Sequence, residues 1–287
     1  MTLLPPWIVL DPLLGEWLRE DIGRGDRATQ GLALSRVGAA LWVAKERGVI
    51  AGLPLAARIF TLLDAEVGFS PLVQEGDFVE KGQTVAELKG PLASLLMGER
   101  VALNLTMCLS GVATLTRKYV EVIADLPTKL ADTRKTTPGL RILEKYAVQV
   151  GGAVNHRLGL DDAVMIKDNH ILAAGGIAEA VRAIRRSMPY PLTIEVETSN
   201  FQEIQAAISA GVDIIMLDNM SREEMAQAVQ LIRRENAAIR VEASGNITLD
   251  NLRLVAKTGV DFISTSAPIT RSPWLDLSMR LLADEGE

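Results

Sequence analysis

The second half of the chain alternates short, β-branched apolar runs, each ending in polar residues, with amphipathic segments. The apolar runs predict strands at residues 128–133, 163–169, 192–198, 213–219, 239–245 and 261–267, with a weaker candidate at residues 152–157. The amphipathic segments predict helices at residues 139–150, 176–188, 201–211, 222–236 and 249–259. Strands that alternate with helices of this length are typical of a parallel sheet. About seven strands favour a closed or nearly closed α/β barrel, and no GxGxxG motif follows a strand to indicate dinucleotide binding.

The pattern in the first part of the chain is different. LREDIGRGD (18–26) predicts a helix that ends in a glycine-rich turn, ALWVAKERGVIAG (40–52) predicts strands, and PLAARIFTLLDA (54–65) predicts a second helix. In VQEGDFVEKGQTVAELKG (73–90), the alternation around Gly-Asp and Lys-Gly turns predicts β-hairpins. Residues 90–123 predict one or two long helices that lead into the barrel. The chain therefore has two parts with different architectures.

Composition and charge narrow the range of partners. Nearly half of the 287 residues are apolar (48%), which is ample for a buried core. The chain has 30 Lys and Arg against 36 Asp and Glu, so its net charge is 30 − 36 = −6, which argues against a nucleic acid or an anionic membrane as the main partner. The single cysteine, Cys108, rules out an internal disulfide and fits a reducing cytoplasm. No signal peptide and no apolar run long enough for a membrane helix is expected.

Barrels of this kind carry their chemistry at the carboxyl ends of the strands. The polar residues predicted there are the cations or potential cations Arg134, Lys135, His156, Arg157 and Lys167, the acids Asp168, Glu197 and Asp218, and the small residues Ser244, Gly245, Asn246 and Ser264–Ser266. Clustered cations on an acidic chain indicate a polyanionic ligand. The acids suit a divalent metal or a developing positive charge, and a Ser-Gly-Asn turn before a helix offers backbone N–H groups to a phosphate. The expected ligand carries several carboxylates, phosphates or both.

Several long motifs carry a family resemblance. They are DTRKTTPGLRILEKYAV (132–148), GGAVNHRLGLDDAVMIKDNHI (151–171), IEVE (194–197), IMLDNM (215–220) and EASGNIT (242–248), with EDIGRGD, GVIAGLPLA, VQEGDFVEKGQ and GERVALN upstream. In this order they resemble the quinolinate phosphoribosyltransferase family over nearly the whole chain. The resemblance implies an N-terminal α/β sandwich domain and a C-terminal, TIM-like seven-stranded α/β barrel. We place the first at residues 1–111, joined by residues 268–287, and the barrel at residues 112–267.

The resemblance also implies a reaction. Quinolinate and phosphoribosyl pyrophosphate (PRPP) would give nicotinate mononucleotide, pyrophosphate and carbon dioxide, in the de novo biosynthesis of NAD. The implied cofactor is Mg²⁺, which would be bound with PRPP. The implied assembly is a homodimer in which Arg100 of GERVALN reaches the neighbouring active site, and the residues leave open whether a higher oligomer forms.

The resemblance assigns roles residue by residue. Quinolinate has two adjacent carboxylates, and guanidinium groups match carboxylates bidentately. The residues implied to bind quinolinate or the pyrophosphate are Arg100, Thr133, Arg134, Lys135, His156, Arg157 and Lys167. The residues implied to act in catalysis are Lys135, Lys167, Glu197 and Asp218, of which Glu197 and Asp218 would also face magnesium, in part through water. The residues implied to bind phosphate are Ser244, Gly245, Asn246, Ser264 and Ser266.

Other interpretations of the same residues stay open. Arg134 and Lys135 alone could be a solvated helix start, and His156 and His170 could be structural histidines, with His170 orienting the KDNH turn. Glu195, two residues before Glu197, is expected to point into the barrel, where it could pair with a core lysine. Ser266 stands where the family usually has glycine. The alternative functions are a paralogue of the same fold acting on another anionic ring, and a non-catalytic phosphate or nucleotide sensor.

Overall fold

The computed structural model describes residues 4–282, which form two compact units. The first unit contains the described residues up to Arg117, residues 142–152 and the described residues from Arg271. The second unit contains Lys118–Arg141 and Ala153–Thr270. Residues 1–3 and 283–287, which we assigned to the N-terminal domain, lie outside the described residues.

The first part of the chain combines helices with strands of two to eight residues, and an alternation of strands and helices follows. The elements of the first part are α1 (Trp7–Ile22), α2 (Arg27–Gly31), β1 (Val37–Ala44), β2 (Gly48–Val49), α3 (Leu53–Leu63), β3 (Gly68–Pro71), β4 (Phe78–Val79), β5 (Thr84–Pro91) and α4 (Leu92–Val122). The elements that follow are β6 (Lys129–Ala131), α5 (Arg141–Val150), β7 (Val164–Ile166), α6 (Asp168–Ala174), α7 (Ile177–Ser187), β8 (Ile194–Thr198), α8 (Phe201–Ala210), β9 (Ile214–Asp218), α9 (Arg222–Glu235), β10 (Arg240–Ser244), α10 (Leu249–Ala256), β11 (Phe262–Ser264), α11 (Ala267–Thr270) and β12 (Leu277–Leu281).

The first unit is built on an antiparallel sheet with the strand order β12-β1-β5-β3. Trp42 of β1 is fully buried and makes edge-on contacts with the rings of Phe60 and Phe69, at centroid distances of 6.4 and 5.2 Å. Helix α1 contributes a stripe of buried leucines with helical spacing, of which Leu10 and Leu14 are fully buried. Because α3 packs against both α1 and β3, helices and sheet share this core, as expected for an α/β sandwich.

Helix α4 differs from the expectation that no segment could cross a membrane. Among the described helices it is long and apolar enough to do so, judged by length and composition alone. Half of its most apolar stretch is buried inside the protein, which is also what the core helix of a globular domain shows. It is one continuous helix of 31 residues, where the sequence pattern allowed one or two.

The second unit contains a parallel sheet with the strand order β6-β11-β10-β9-β8-β7. Six of the predicted strands are present, but the predicted count of seven is not reached. The weak candidate at residues 152–157 is reduced to a single parallel bridge between Ala131 and Val154. The ladder ends there because the backbone N–H of His156 donates to the side-chain carboxylate of Asp132 and not to a backbone carbonyl. The side-chain amide of Asn155 donates to the same carboxylate.

The sheet of the second unit is curled into a barrel. In a flat sheet, the backbone at Val154 would lie five strand spacings from β8, or roughly 24 Å. In the structure, Nε2 of His156, two residues beyond Val154, is 3.0 Å from a carboxylate oxygen of Glu195 in β8. Side chains from both ends of the strand order therefore meet in the interior. The curvature brings the carboxyl ends of the strands into one ring, which is where the predicted site residues lie.

Candidate active site

The loop after β6 carries the first predicted residues and is tied to the segment after Val154. Asp132 is 2% exposed and accepts hydrogen bonds from the backbone N–H of His156 (2.9 Å) and from Nδ2 of Asn155 (2.7 Å). Farther along the loop, the Lys135 N–H donates to Oγ1 of Thr133 at 3.0 Å. Neither Asp132 nor Asn155 was selected from the sequence, yet together they hold the two cationic segments side by side.

Arg134 and Arg157 form a cationic pair at this edge. Burial, followed by the neighbouring charge of Arg134, lowers the pKa of the Arg157 guanidinium, while Glu195 and Asp162 act in the opposite direction. Nη1 of Arg157 donates to the carbonyl oxygen of Ala163 at 3.0 Å, which fixes the direction of the side chain. Two guanidinium groups that repel each other in a partly buried place favour an anion with more than one acceptor group.

A mixed group of cations and acids follows on β7, β8 and β9. Lys167 forms an ion pair with Glu197, and its backbone N–H donates to Nδ1 of His170 at 3.1 Å, so His170 does orient the start of α6. Burial, followed by the charge of Glu197, raises the pKa of Asp218, whereas Lys167 and Lys135 lower it. The four residues predicted to act in catalysis therefore interact electrostatically in one place.

The Ser-Gly-Asn turn leads from β10 toward α10. Gly245 (φ 99°) and Asn246 (φ 51°) both have left-handed backbone conformations. The Thr248 N–H donates to Oδ1 of Asn251 at 2.8 Å at the start of α10. At the next strand, the Ser264 hydroxyl is buried beside Glu242 and lowers the pKa of that carboxyl. The carbonyl oxygen of Ser266 accepts the N–H groups of Ile269 and Thr270 in the short helix α11. Backbone groups of the turn therefore lie at the same end of the strands as the acids.

A buried cluster of His156, Glu195 and Glu242 lies deeper in the barrel. The prediction that Glu195 pairs with a core lysine is wrong, because its partner is His156 Nε2 at 3.0 Å, and Glu242 lies 3.6 Å from the same nitrogen. The two side chains meet His156 because the barrel curvature closes around them. The sequence analysis did not select Glu242 as a site residue. An acid at an inward-facing position of an otherwise apolar strand would have indicated it.

The cluster has the composition of a metal site, and these are the described residues whose ligand atoms lie within 4.8 Å of one another. The hydrogen bonds of His156 indicate that a proton, and not a metal ion, lies between its Nε2 and the two carboxylates. Nδ1 of His156 accepts the backbone N–H of Arg157 at 2.7 Å, so the ring carries its own proton on Nε2, facing the two carboxylates. A metal at Nε2 would require that proton to be removed from a ring whose other nitrogen is already an acceptor.

Glu242 makes folding stability depend on pH. Burial, followed by the charge of Glu195, raises the pKa of Glu242 from 4.5 to about 7. Between these pH values the folded protein holds a proton that the unfolded chain has released. The corresponding stability is fully present below pH 4.5 and is lost as the pH rises toward 7.

We therefore expect Glu242→Gln to become more stable relative to wild type as the pH rises through this window. Denaturant unfolding at several pH values measures the difference. Glu223→Gln, on the exposed surface of α9, is the matched control and should show a constant offset. Parallel pH profiles for wild type and Glu242→Gln would contradict the raised pKa.

Arg100 belongs to the first unit. It lies on α4 with a 56% exposed side chain, and its guanidinium pairs with the adjacent Glu99 at 3.0 Å. Of the predicted site residues it is the one that belongs to the first unit, whereas the others belong to the second. Its role depends on a second chain and stays a prediction.

The fold and this site define an α/β-barrel protein whose strand ends combine an arginine pair, lysine–acid groups and a glycine-containing turn. Residues 112–280 match the family model for the C-terminal domain of quinolinate phosphoribosyl transferase, and residues 26–110 match the model for its N-terminal domain. The chain belongs to the quinolinate phosphoribosyl transferase family.

Relatives and solved structures agree with this membership. The chain is 66% identical to a Synechocystis protein named "Probable nicotinate-nucleotide pyrophosphorylase (carboxylating)", with 98% of this chain and 96% of the relative aligned. It is 42% identical to the human nicotinate-nucleotide pyrophosphorylase (carboxylating), covering 99% and 96% of the two chains. Its fold matches the crystal structure of NadC from Streptococcus pyogenes with a TM-score of 0.92 and 42% identity, over 96% of this chain and 98% of that one.

Proposed function

We propose that this protein transfers the phosphoribosyl group of PRPP to quinolinate, with loss of carbon dioxide, and so forms nicotinate mononucleotide and pyrophosphate for NAD biosynthesis. The observation that carries the proposal is that an Arg134–Arg157 pair and a Lys167, Glu197 and Asp218 group both lie at the strand ends of the second unit. Lys135, the residue after Arg134, links the two groups because its charge lowers the pKa of Asp218. The first suits a dicarboxylate and the second suits a phosphoribosyl donor. The family and the names of the relatives support the same reaction.

Binding of quinolinate would rest on the cations. Arg134, Arg157 and Lys167 would take the two ring carboxylates, because guanidinium forks match carboxylate geometry. His156 supports this arrangement, since its Nδ1 accepts the backbone N–H of Arg157. Lys135 and the Ser244–Asn246 turn would face the phosphate groups of PRPP, with Thr133, Ser264 and Ser266 in the surrounding loops.

Bond formation needs placement and charge. The ring nitrogen of quinolinate attacks the anomeric carbon, while the bond to pyrophosphate breaks and pyrophosphate leaves with the electron pair. Positive charge grows on the ribose in the transition state, where the fixed carboxylates of Glu197 and Asp218 stabilise it. The carboxylate beside the ring nitrogen then leaves as carbon dioxide, because the cationic nitrogen stabilises the carbanion that remains, and a proton completes the ring.

Magnesium fits this site. Glu197 and Asp218 offer carboxylate oxygens beside each other, as the effect of Glu197 on the pKa of Asp218 shows. Mg²⁺ keeps several waters and takes one or two carboxylates together with substrate phosphates, so these two residues would hold it. When bound, it would neutralise charge on the departing pyrophosphate.

We expect activity to depend on a divalent cation. Excess EDTA should abolish turnover of quinolinate and PRPP, and added Mg²⁺ should restore it, since pyrophosphate is a poor leaving group without a counterion. Ca²⁺ added to the chelated enzyme is a useful control, because its larger, more flexible coordination should restore less activity. Full activity in excess chelator, with no divalent ion present, would refute the assignment.

The assembly and the setting are part of the proposal. We assign the protein to the cytoplasm as a homodimer in which Arg100 completes the partner's site, with small-molecule substrates and no nucleic-acid or membrane partner. The net charge of −6 and the single cysteine support this setting.

The experiment that tests the function is turnover. Purified protein with quinolinate, PRPP and Mg²⁺ should form nicotinate mononucleotide. A paralogue for another anionic ring would consume PRPP only with that ring, and a sensor would bind PRPP without turnover. Either result, from folded protein, would contradict the proposal.

A further inference from the structure

We infer that Asn219 is a positioning residue that couples the carboxylate of Asp218 to the Ser244–Asn246 turn. Asn219 follows β9 directly, and the turn follows β10, so it spans two neighbouring strand ends. The inference rests on the proposed function, in which Asp218 and the turn contact the same PRPP molecule.

Each polar arm of the Asn219 side chain has a partner in this bridge. Nδ2 of Asn219 donates to Oδ2 of Asp218 at 2.7 Å, and Oδ1 of Asn219 accepts from Nδ2 of Asn246 at 3.1 Å. The network fixes the orientation of the amide. If the Asn219 amide were flipped, its oxygen would face the Asp218 carboxylate and its NH₂ group would face the NH₂ group of Asn246. The backbone N–H of Asn219 also donates to the carbonyl of Ser244 at 3.1 Å.

The backbone around the bridge is shaped to allow it. Asn219 and Asn246 have φ angles of 55° and 51°, a left-handed conformation that asparagine tolerates better than most residues. Gly245 has a φ of 99°, and a Cβ built there would lie 2.2 Å from Oδ1 of Asn219. Glycine is therefore required for the turn to approach the Asn219 side chain.

The bridge continues toward α10. Nδ2 of Asn251 donates to the carbonyl oxygen of Asn246 at 2.9 Å, and Oδ1 of Asn251 accepts the N–H of Thr248 at the start of α10. Asp218, Asn219, Asn246 and Asn251 thus form one chain of hydrogen bonds from an acid to a helix N-terminus. Such a chain fixes the separation between the acid and the backbone groups of the turn, which an isolated side chain on either loop could not do.

The bridge is expected to affect how PRPP is bound. If the acid faces the ribose and the turn faces a phosphate, their fixed separation selects one pose of PRPP. Loss of the bridge should raise the KM for PRPP and lower kcat, because both contacts become mobile. The KM for quinolinate should stay unchanged, since none of the bonds in the bridge involves Arg134 or Arg157. A residue with only a structural role would not separate the two KM values in this way.

The test compares Asn219→Gly, Asn246→Gly and the double variant with wild type. Glycine adopts positive φ without strain, so these changes remove side chains and leave the backbone conformation accessible. We expect Asn219→Gly to lower kcat/KM for PRPP by about 10- to 100-fold, the range for loss of a supporting hydrogen-bond partner at a site. The double variant should be little worse than Asn219→Gly, because the Asn246 side chain has already lost its partner.

Two controls make the outcome decisive. Asn236→Gly, at the end of α9, should behave as wild type, and thermal unfolding checks that each variant is folded. Wild-type protein without turnover would overturn the proposed function and this inference with it. If the wild-type protein turns over its substrates, two results would overturn the inference and leave the proposed function standing. One is an unchanged kcat/KM for PRPP in folded Asn219→Gly, and the other is strictly additive losses in the double variant.

Discussion

With PRPP in excess, this protein should use quinolinate far more efficiently than nicotinate, which has only one of the two carboxylates. Arg134 and Arg157 lie close enough for the charge of one to lower the pKa of the other, and burial adds to the shift at Arg157. Nicotinate would leave part of this cationic pair without a partner. An unpaired charge in a closed site costs about 2–5 kcal/mol, or about 30- to 5000-fold in catalytic efficiency.

The source of the discrimination can be tested on the same residues. Arg157→Lys keeps the charge but loses the planar fork, so we expect it to lower kcat/KM for quinolinate strongly and to narrow the ratio to nicotinate. Arg182→Lys, in an exposed ion pair on α7, is the matched control and should leave both values unchanged. Comparable efficiencies for quinolinate and nicotinate in the wild-type protein would contradict the assignment of the arginine pair to two carboxylates.

Arg100→Ala and Glu197→Ala should each be nearly inactive alone and should regain activity when they are unfolded, mixed and refolded together. If Arg100 completes the partner's site, an Arg100→Ala barrel can take its arginine from a Glu197→Ala chain. In a two-fold dimer this sharing is reciprocal, and random pairing makes about half of the dimers mixed. One of the two sites in each mixed dimer is complete, so activity should return to about a quarter of wild type.

The matched control is a pair of variants within one barrel. Glu197 and Asp218 interact in the same unit, so mixing Glu197→Ala with Asp218→Ala leaves every barrel without one acid. This mixture should regain no activity. Mixed dimers of Arg100→Ala and Glu197→Ala that are verified by mass and are no more active than the parent proteins would show that the site is not shared.

Local sequence patterns predicted most of the second unit, because parallel strands that are buried on both sides are apolar runs and the helices between them are amphipathic. The strands that differ between the prediction and the structure are determined by contacts between residues that are distant in the sequence. The strand expected at residues 152–157 is lost after one bridge, since Asp132 binds residues 155 and 156. Strand β12 was not predicted, because Leu277–Leu281 becomes a strand by pairing with β1, far away in the sequence.

The site residues also divide into those that local sequence patterns predict and those that depend on contacts between distant residues. Residues at strand ends were predictable, because the carboxyl ends of parallel strands meet at one edge whatever the loops do. The partner of Glu195 was not, since barrel curvature decides which inward-facing side chains meet, and His156 reached it instead of a lysine. Asn219 was not predicted as a site residue. Its role depends on a left-handed backbone conformation and two side-chain hydrogen bonds, and the residue type alone indicates neither. The family prediction from the long motifs is confirmed.

The most direct test of the central claim is the balance of products. Quinolinate labelled in the carboxylate beside the ring nitrogen is incubated with the protein, PRPP and Mg²⁺, and the nicotinate mononucleotide, pyrophosphate and labelled carbon dioxide are measured together. The proposed reaction predicts equal amounts of all three, each dependent on PRPP. Carbon dioxide release without PRPP, a nucleotide that retains the label, or no nucleotide from folded protein would contradict it.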